Sequence, residues 1–203
     1  MANQRSVMTR LAQPTDADAM TETIATAFFH DPLWSWAFAD ESSRAAQFRV
    51  WWRVFVDSSF RHQWTWVADD CASVAIWSPP GTSELTPVDE EELVRLVGEF
   101  IGGDHGDQVL GVLAQFEVVR PTDVPHYYLS IVGTHDDHRG HGIGEALLAD
   151  NLNLVDAEHM PAYLESSNPA NLKRYMRLGF EPIGEIEVPD GRPAVTTMWR
   201  PER

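Results

Sequence analysis

Cysteine is almost absent: Cys71 is the only one in 203 residues. A lone thiol closes no internal disulfide, so the fold must rest on packing, as suits a reducing compartment. Cys71 itself reads as a small buried apolar side chain. Lysine is equally scarce, with Lys173 the single example. Lys plus Arg total 15 against 31 Asp plus Glu, a net charge of −16. Nucleic acid demands a dense basic surface to displace its counterions, and this composition excludes it as a partner. A carboxylate excess draws cationic small molecules, and it also keeps a protein soluble; composition leaves both readings open. Long apolar runs are missing too. No segment approaches the roughly 20 apolar residues of a membrane span, and Met1 to Arg10 lacks the apolar stretch of a secretion signal. The chain is read as cytoplasmic, with no membrane partner.

What is present builds a core. The chain is 43% hydrophobic, with eight Trp and nine Phe, and its length fits one domain over 1–203. Val7 to Leu11 reads as a short strand, and Pro14-Thr15-Asp16 as a helix start. That helix should stop at Asp31-Pro32, because proline keeps the preceding residue out of the helical region. From Ser43 to His62 a second helix carries Phe48, Trp51, Trp52, Phe55 and Val56 at three- and four-residue spacing, as core or as a substrate wall. Trp64 to Ala68 and Ala72 to Trp77 read as an antiparallel hairpin. A helical pair over 87–120, broken at Gly102-Gly103, forms an insertion. Beyond it come a strand over Tyr127 to Thr134 and a helix over Gly142 to His159 with Ile143, Leu147, Leu148, Leu154 and Val155 on one side. A strand at Ala162 to Glu165 and a helix from Asn168 to Leu178 closed by Gly179 follow. Strands over Glu181 to Val188 and Ala194 to Arg200, joined by Pro189-Asp190-Gly191, end the chain. The order implies a mixed α/β, mostly antiparallel sheet flanked by helices.

The chemistry concentrates in Arg139-Gly140-His141-Gly142-Ile143-Gly144, between a strand and a helix. Alternate glycines free successive N–H groups to face one anion, and a helix start adds partial positive charge. The segment reads as a diphosphate cradle or as a plain glycine-rich turn. It is no P-loop, lacking Gly-Lys-Ser/Thr, and no dinucleotide fingerprint, since Glu145 stands where the third glycine is required. His135, His138 and His141 have suggestive spacing but no organised carboxylate or thiolate, so no metal is expected.

Arg139-x-x-Gly142-x-Gly144 after a strand, followed by Asn168, Asn171, Tyr175 and Gly179-Phe180, resembles the acetyl-CoA-binding half of the GNAT N-acetyltransferases. Tyr128-Leu129-Ser130-Ile131-Val132-Gly133-Thr134, Leu164-Glu165-Ser166-Ser167 and Asn171-x-x-x-Tyr175-x-x-Leu178-Gly179-Phe180 are most similar to puromycin-type acetyltransferases. Asp136 departs from them, standing where such proteins often have proline. The resemblance implies a GNAT fold, with 1–120 as the acceptor-binding part and 126–200 as the acetyl-CoA-binding part. It implies that N–H groups over Arg139 to Gly144 hold the CoA diphosphate and that the edge at Val132, Gly133 and Thr134 pairs with the pantetheine arm. Asn168 and Asn171 contact the cofactor or cap the helix, and Arg174 and Arg177 are further cations. Tyr175 matches the general acid for the departing thiolate, or is a core aromatic; the strand backbone at Val132 to Thr134 is the oxyanion donor. Glu165 is the first candidate base, against a structural carboxylate, with His126 and Asp31 behind it. Asp31, Trp34 and His126 are expected at the acceptor, and Trp36 joins them as wall or core.

The implied reaction is transfer of acetyl from acetyl-CoA to the amine of a small molecule by direct attack. Protein or peptide acetylation and a non-catalytic CoA-binding module are the alternatives. A monomer and a homodimer both remain open.

Overall fold

The structure is a computed structural model that describes residues 7–203. Residues 1–6, including Arg5 and most of the leader reading, lie outside the described residues. Among those described, no helix is long and apolar enough to cross a membrane.

Seven strands form one sheet in the order β1-β2-β3-β4-β5-β7-β6. They are β1 (Thr9–Leu11), β2 (Thr65–Ala68), β3 (Ser73–Ser78), β4 (Tyr127–Thr134), β5 (Ala162–Ser166), β6 (Glu181–Ile186) and β7 (Val195–Arg200). Every pairing is antiparallel except β4 with β5. The expected mixed α/β class is observed. That parallel pair is short: it joins Tyr127 to Leu129 with Ala162 to Leu164 and goes no further. Beyond Leu129 the β5-facing edge of β4 is left without a strand, while its other edge stays paired to β3 as far as Thr134. The parting strands open a cleft in mid-sheet.

The helices are α1 (Ala17–Phe28), α2 (Pro32–Ala37), α3 (Glu41–Ser59), α4 (Pro87–Phe100), α5 (Gly103–Val119), α6 (Ile143–Ala157) and α7 (Leu172–Arg177). The expected stop at Asp31-Pro32 is also a start. The Asp31 carboxylate accepts from the Leu33 and Trp34 N–H groups at 3.0 and 3.3 Å, and Pro32 takes the first helical position, where its missing N–H costs nothing. Met20, Ile24, Phe48, Trp51, Trp52 and Val56 are buried on one side of the sheet; Leu147, Leu148, Leu152 and Val155 are buried with Trp77 and Phe180 in a second cluster. Leu154, expected on the apolar side of α6, is 40% exposed. The buried stripe runs instead through Asn151 and Leu152, and Asn151 Oδ1 accepts from Trp77 Nε1 at 2.9 Å. A polar residue with a core partner takes the place on the stripe that Leu154 was expected to fill.

Arg200 Nη1 and Nη2 donate to Asp156 at 2.6 and 2.7 Å, and its Nε donates to Leu178 O at 2.9 Å. This fork ties β7 to α6 and to the end of α7. Asp156→Asn should lower unfolding free energy by about 2 kcal/mol, because it strands a guanidinium that is nearly all buried. The hydrogen bonds from Arg200 hold the Asp156 carboxyl below its usual range. The unfolded chain therefore binds that proton first as pH falls. This contribution is complete above the ordinary carboxylate pKa and is lost as pH drops through the folded value. Urea unfolding at pH 7 and pH 3 checks both statements.

Candidate active site

The turn before α6 follows from its glycines. Gly140 and Gly142 sit at φ +80° and +75°, backbone that side chains with a Cβ rarely adopt. Gly142 is the N-cap and supplies no side chain to cap the helix, so the first-turn N–H groups of α6 are left for an outside acceptor. Gly144 is constrained differently: a Cβ there would lie 2.6 Å from Thr134 Oγ1. Its absence lets the helix start press against the end of β4. These residues line a groove of about 560 Å³ with Val132, Gly133, Thr134, Arg139 and Ile143 from one side and Asn168, Asn171, Arg174, Tyr175 and Arg177 from the other. The donor set fits a polyanionic, extended ligand, with free helix-start N–H groups flanked by three arginines. If the groove holds the CoA that the resemblance implies, Gly144→Ala should push α6 off β4 and weaken that binding at least about tenfold, read by calorimetry, with stability changed by no more than about 2 kcal/mol.

Several expected residues have partners that define their roles. Arg139 Nη2 donates to Ala27 O at 2.6 Å and pairs with Asp136 at 2.9 Å, which anchors the turn against α1. His141 is exposed and is not among the groove-lining residues. Asn168 Oδ1 accepts from Ala170 N–H at 3.0 Å, a helix cap at the groove wall. Arg177 pairs with Glu145 at 3.0 Å.

A second cavity, of about 500 Å³, lies on the other side of the β4–β5 cleft. Its aromatic wall comes from Trp34 of α2 and Trp51, Trp52 and Phe55 of α3, so the α3 stripe is both core and wall. Leu93 of α4 and Leu110, Leu113 and Phe116 of α5 face it. The two cavities share Phe28, Val132, Asn171 and Tyr175. Each draws on both halves of the chain: Ala27, Phe28, His30 and Asp31 reach into the groove, and Tyr128 and Glu165 into the cavity.

Polar groups gather at one end of the cavity. Glu165 is half-buried, and its Oε1 is out of solvent without a hydrogen-bond partner. Burial pushes its carboxyl up to about 7, against the nearby Arg120 guanidinium and the Tyr128 and Tyr163 hydroxyls. Arg120 lies 3.9 Å over the Tyr128 ring and pairs with Glu117 at 2.9 Å and Glu84 at 3.9 Å. Ser130 Oγ donates to Glu84, whose carboxyl burial also raises. Burial holds the Tyr175 phenol up at about 12, so it is protonated at neutral pH.

Two acceptor-side expectations, Asp31 and His126, are corrected. Asp31 lines the groove, not the second cavity; besides capping α2 it accepts from Ser167 Oγ at 2.8 Å, so it fastens α2 to the loop after β5. His126 lines neither cavity: its Nδ1 lies 2.7 Å from Val124 O, and its ring packs on Tyr163 and Trp199. Of the two readings of Trp36 the structure takes core: it is buried, with Nε1 donating to Asp190 at 3.0 Å. The Glu84, Arg120, Tyr128 and Ser130 cluster was not identified as a site from the sequence. No local spacing links a loop glutamate, a residue ending α5 and two β4 residues. Among the described residues no group of three or more His, Cys, Asp or Glu is placed to hold a metal ion.

The sequence model of the Acetyltransferase (GNAT) family matches residues 64–180. The chain belongs to the GNAT acetyltransferase family. An uncharacterised N-acetyltransferase of Schizosaccharomyces pombe is 28% identical over 118 residues, which cover 55% of this chain and 48% of that protein. The chain thus spans about half the length of the curated relative it matches. Among solved GNAT folds, a Corynebacterium glutamicum protein described as histone acetyltransferase HPA2 and related acetyltransferase is 25% identical, with TM-score 0.65 and 98% of each chain covered. Arylalkylamine N-acetyltransferase 2 of Aedes aegypti is 13% identical with TM-score 0.64, covering 97% of this chain and 99% of its own. The polyamine N-acetyltransferase of Drosophila melanogaster is 17% identical with TM-score 0.58, covering 96% and 99%. The last two resemble the GNAT chain in fold.

Proposed function

We propose that this GNAT protein moves the acetyl group of acetyl-CoA to the amine of a small molecule by direct attack, in a ternary complex. One observation carries the reading: the groove around the glycine turn and the aromatic cavity meet at Val132 and Tyr175. Two substrates entering from opposite sides of the β4–β5 cleft come together there without an acyl-enzyme. The arylalkylamine and polyamine enzymes that share the fold act on small amines, in keeping with an enclosed acceptor cavity.

Bound acetyl-CoA supplies the activated carbonyl carbon. The helix-start N–H groups over Arg139 to Gly144 hold its diphosphate, and the open edge of β4 at Val132 to Thr134 holds its pantetheine arm as an added strand. That same edge offers a main-chain N–H to the carbonyl oxygen as negative charge develops on it. Glu165 takes a proton from the incoming ammonium so that nitrogen attacks as the neutral amine. Tyr175 gives its phenolic proton to the departing sulfur as the carbon–sulfur bond breaks. The second proton of the nitrogen then returns the phenol to its starting state, so one proton leaves on Glu165. Asp31 and Ser167 position the wall between the two substrates.

The test is release of CoA thiol from acetyl-CoA across a panel of small amines and short peptides, with both concentrations varied. Intersecting double-reciprocal lines and full activity in Cys71→Ala are expected. Parallel lines with an inactive Cys71→Ala would establish an acyl-enzyme route. Thiol release with peptides alone would favour protein acetylation, and none with any amine would favour a binding module.

A further inference from the structure

The acceptor cavity has an uneven chemistry. Trp34, Trp52 and Phe55 form one wall and Leu93, Leu113 and Phe116 of the α4–α5 pair the other. Four carboxylates also border it, but three are occupied or peripheral. Glu84 accepts from Ser130 and faces Arg120. Glu117 is exposed and neutralises Arg120 at 2.9 Å. Glu90 is exposed at the rim. Glu165 alone of the four has a buried oxygen without a partner. The interior therefore offers one unmet carboxylate oxygen at the end of an apolar chamber.

We infer that the acceptor is a hydrophobic monoamine, with one primary amino group at the end of an aryl or alkyl body, and that the α4–α5 pair makes the enzyme discriminate against polyamines. This rests on the acetyl-transfer reading of the site and names its substrate class. The physical reason is the cost of a second cation. An ammonium placed between Phe55 and Leu113 loses its hydration and meets no anion there, which is a heavy penalty. An ammonium that reaches Glu90 at the rim meets an exposed carboxylate, and such pairs contribute little. A methyl group at the same place buries favourably.

Hexylamine and 1,6-diaminohexane test this, because they share one chain length and differ only in the far end. Thiol release from acetyl-CoA should give kcat/KM for hexylamine at least about tenfold above that for the diamine, with 2-phenylethylamine on the hexylamine side. Leu113→Glu places a carboxylate on the apolar wall and should shrink or reverse that ratio at an unchanged far-UV spectrum. Equal or faster reaction of the diamine with the unaltered protein would overturn the inference while leaving acetyl transfer standing. Release with no amine at all would remove both. A ratio unmoved by Leu113→Glu in a folded variant would overturn the role given to the α4–α5 pair.

Discussion

Tyr175→Phe should lower kcat by about 100-fold or more while changing the dissociation constant of CoA by less than about threefold. The phenol lines both the groove and the cavity, where the proposed mechanism breaks the bond to sulfur. Burial keeps its proton on through neutral pH, with a pKa pushed up to about 12. Such a group is a proton source for a thiolate and is inert toward the bound ground state. The ring is also core: it packs edge-on to Phe180 with centroids 6.2 Å apart, and phenylalanine preserves that packing. The split between kcat and binding is therefore diagnostic. Equal losses in turnover and CoA affinity would assign Tyr175 to packing, and unchanged turnover would take it out of the mechanism.

Glu165→Gln should remove the acid limb of the pH profile and cost about 100-fold in kcat/KM at pH 8. In the proposed mechanism deprotonated Glu165 is the working form, and burial has raised its carboxyl to about 7. Activity of the unaltered protein should accordingly rise with unit slope up to about pH 7 and level off above it. The sign of the stability effect separates a base from a structural carboxylate. The folded carboxyl holds its proton to higher pH than the unfolded one. The folded state therefore binds the extra proton between the ordinary carboxylate range and pH 7, and stability falls across that window. Above pH 7 the charged form is a standing cost, so Glu165→Gln should stabilise the protein at pH 8 by an amount on the order of 2 kcal/mol. A carboxylate kept for structure would behave oppositely. Arg120 acts against the burial and holds Glu165 lower than it would otherwise lie; Arg120→Met should shift the acid limb upward in pH.

Local chemistry was legible where one short segment contains its own explanation. Tyr127 to Thr134 reads as a strand from its composition alone, and it is β4. The glycines before α6 announced a backbone turn that leaves helix-start N–H groups free, and the groove forms around that turn. Asp31-Pro32 was half legible: the rule that ends a helix before proline applies, yet proline also opens one, and α2 begins there. The helix over Gly142 to His159 is observed as α6, but Leu154 is exposed and the stripe includes Asn151, an amide that accepts from Trp77, looks polar in sequence and is core in space. The acceptor end was least legible. Glu84 sits in a loop, Arg120 at the end of α5, Tyr128 on β4 and Glu165 on β5, and only the parting of β4 from β5 brings them together. His126 failed for the same reason: it lies next to β4 in sequence but on the side of Tyr163 and Trp199, away from both cavities.

The measurement closest to the central claim is a crystal structure of the protein soaked with acetyl-CoA. The account predicts the diphosphate within hydrogen-bonding distance of main-chain N–H groups between Arg139 and Gly144, with the thioester beside Val132 and Tyr175. A thioester bound away from the β4–β5 cleft, with the glycine turn open to solvent, would contradict it.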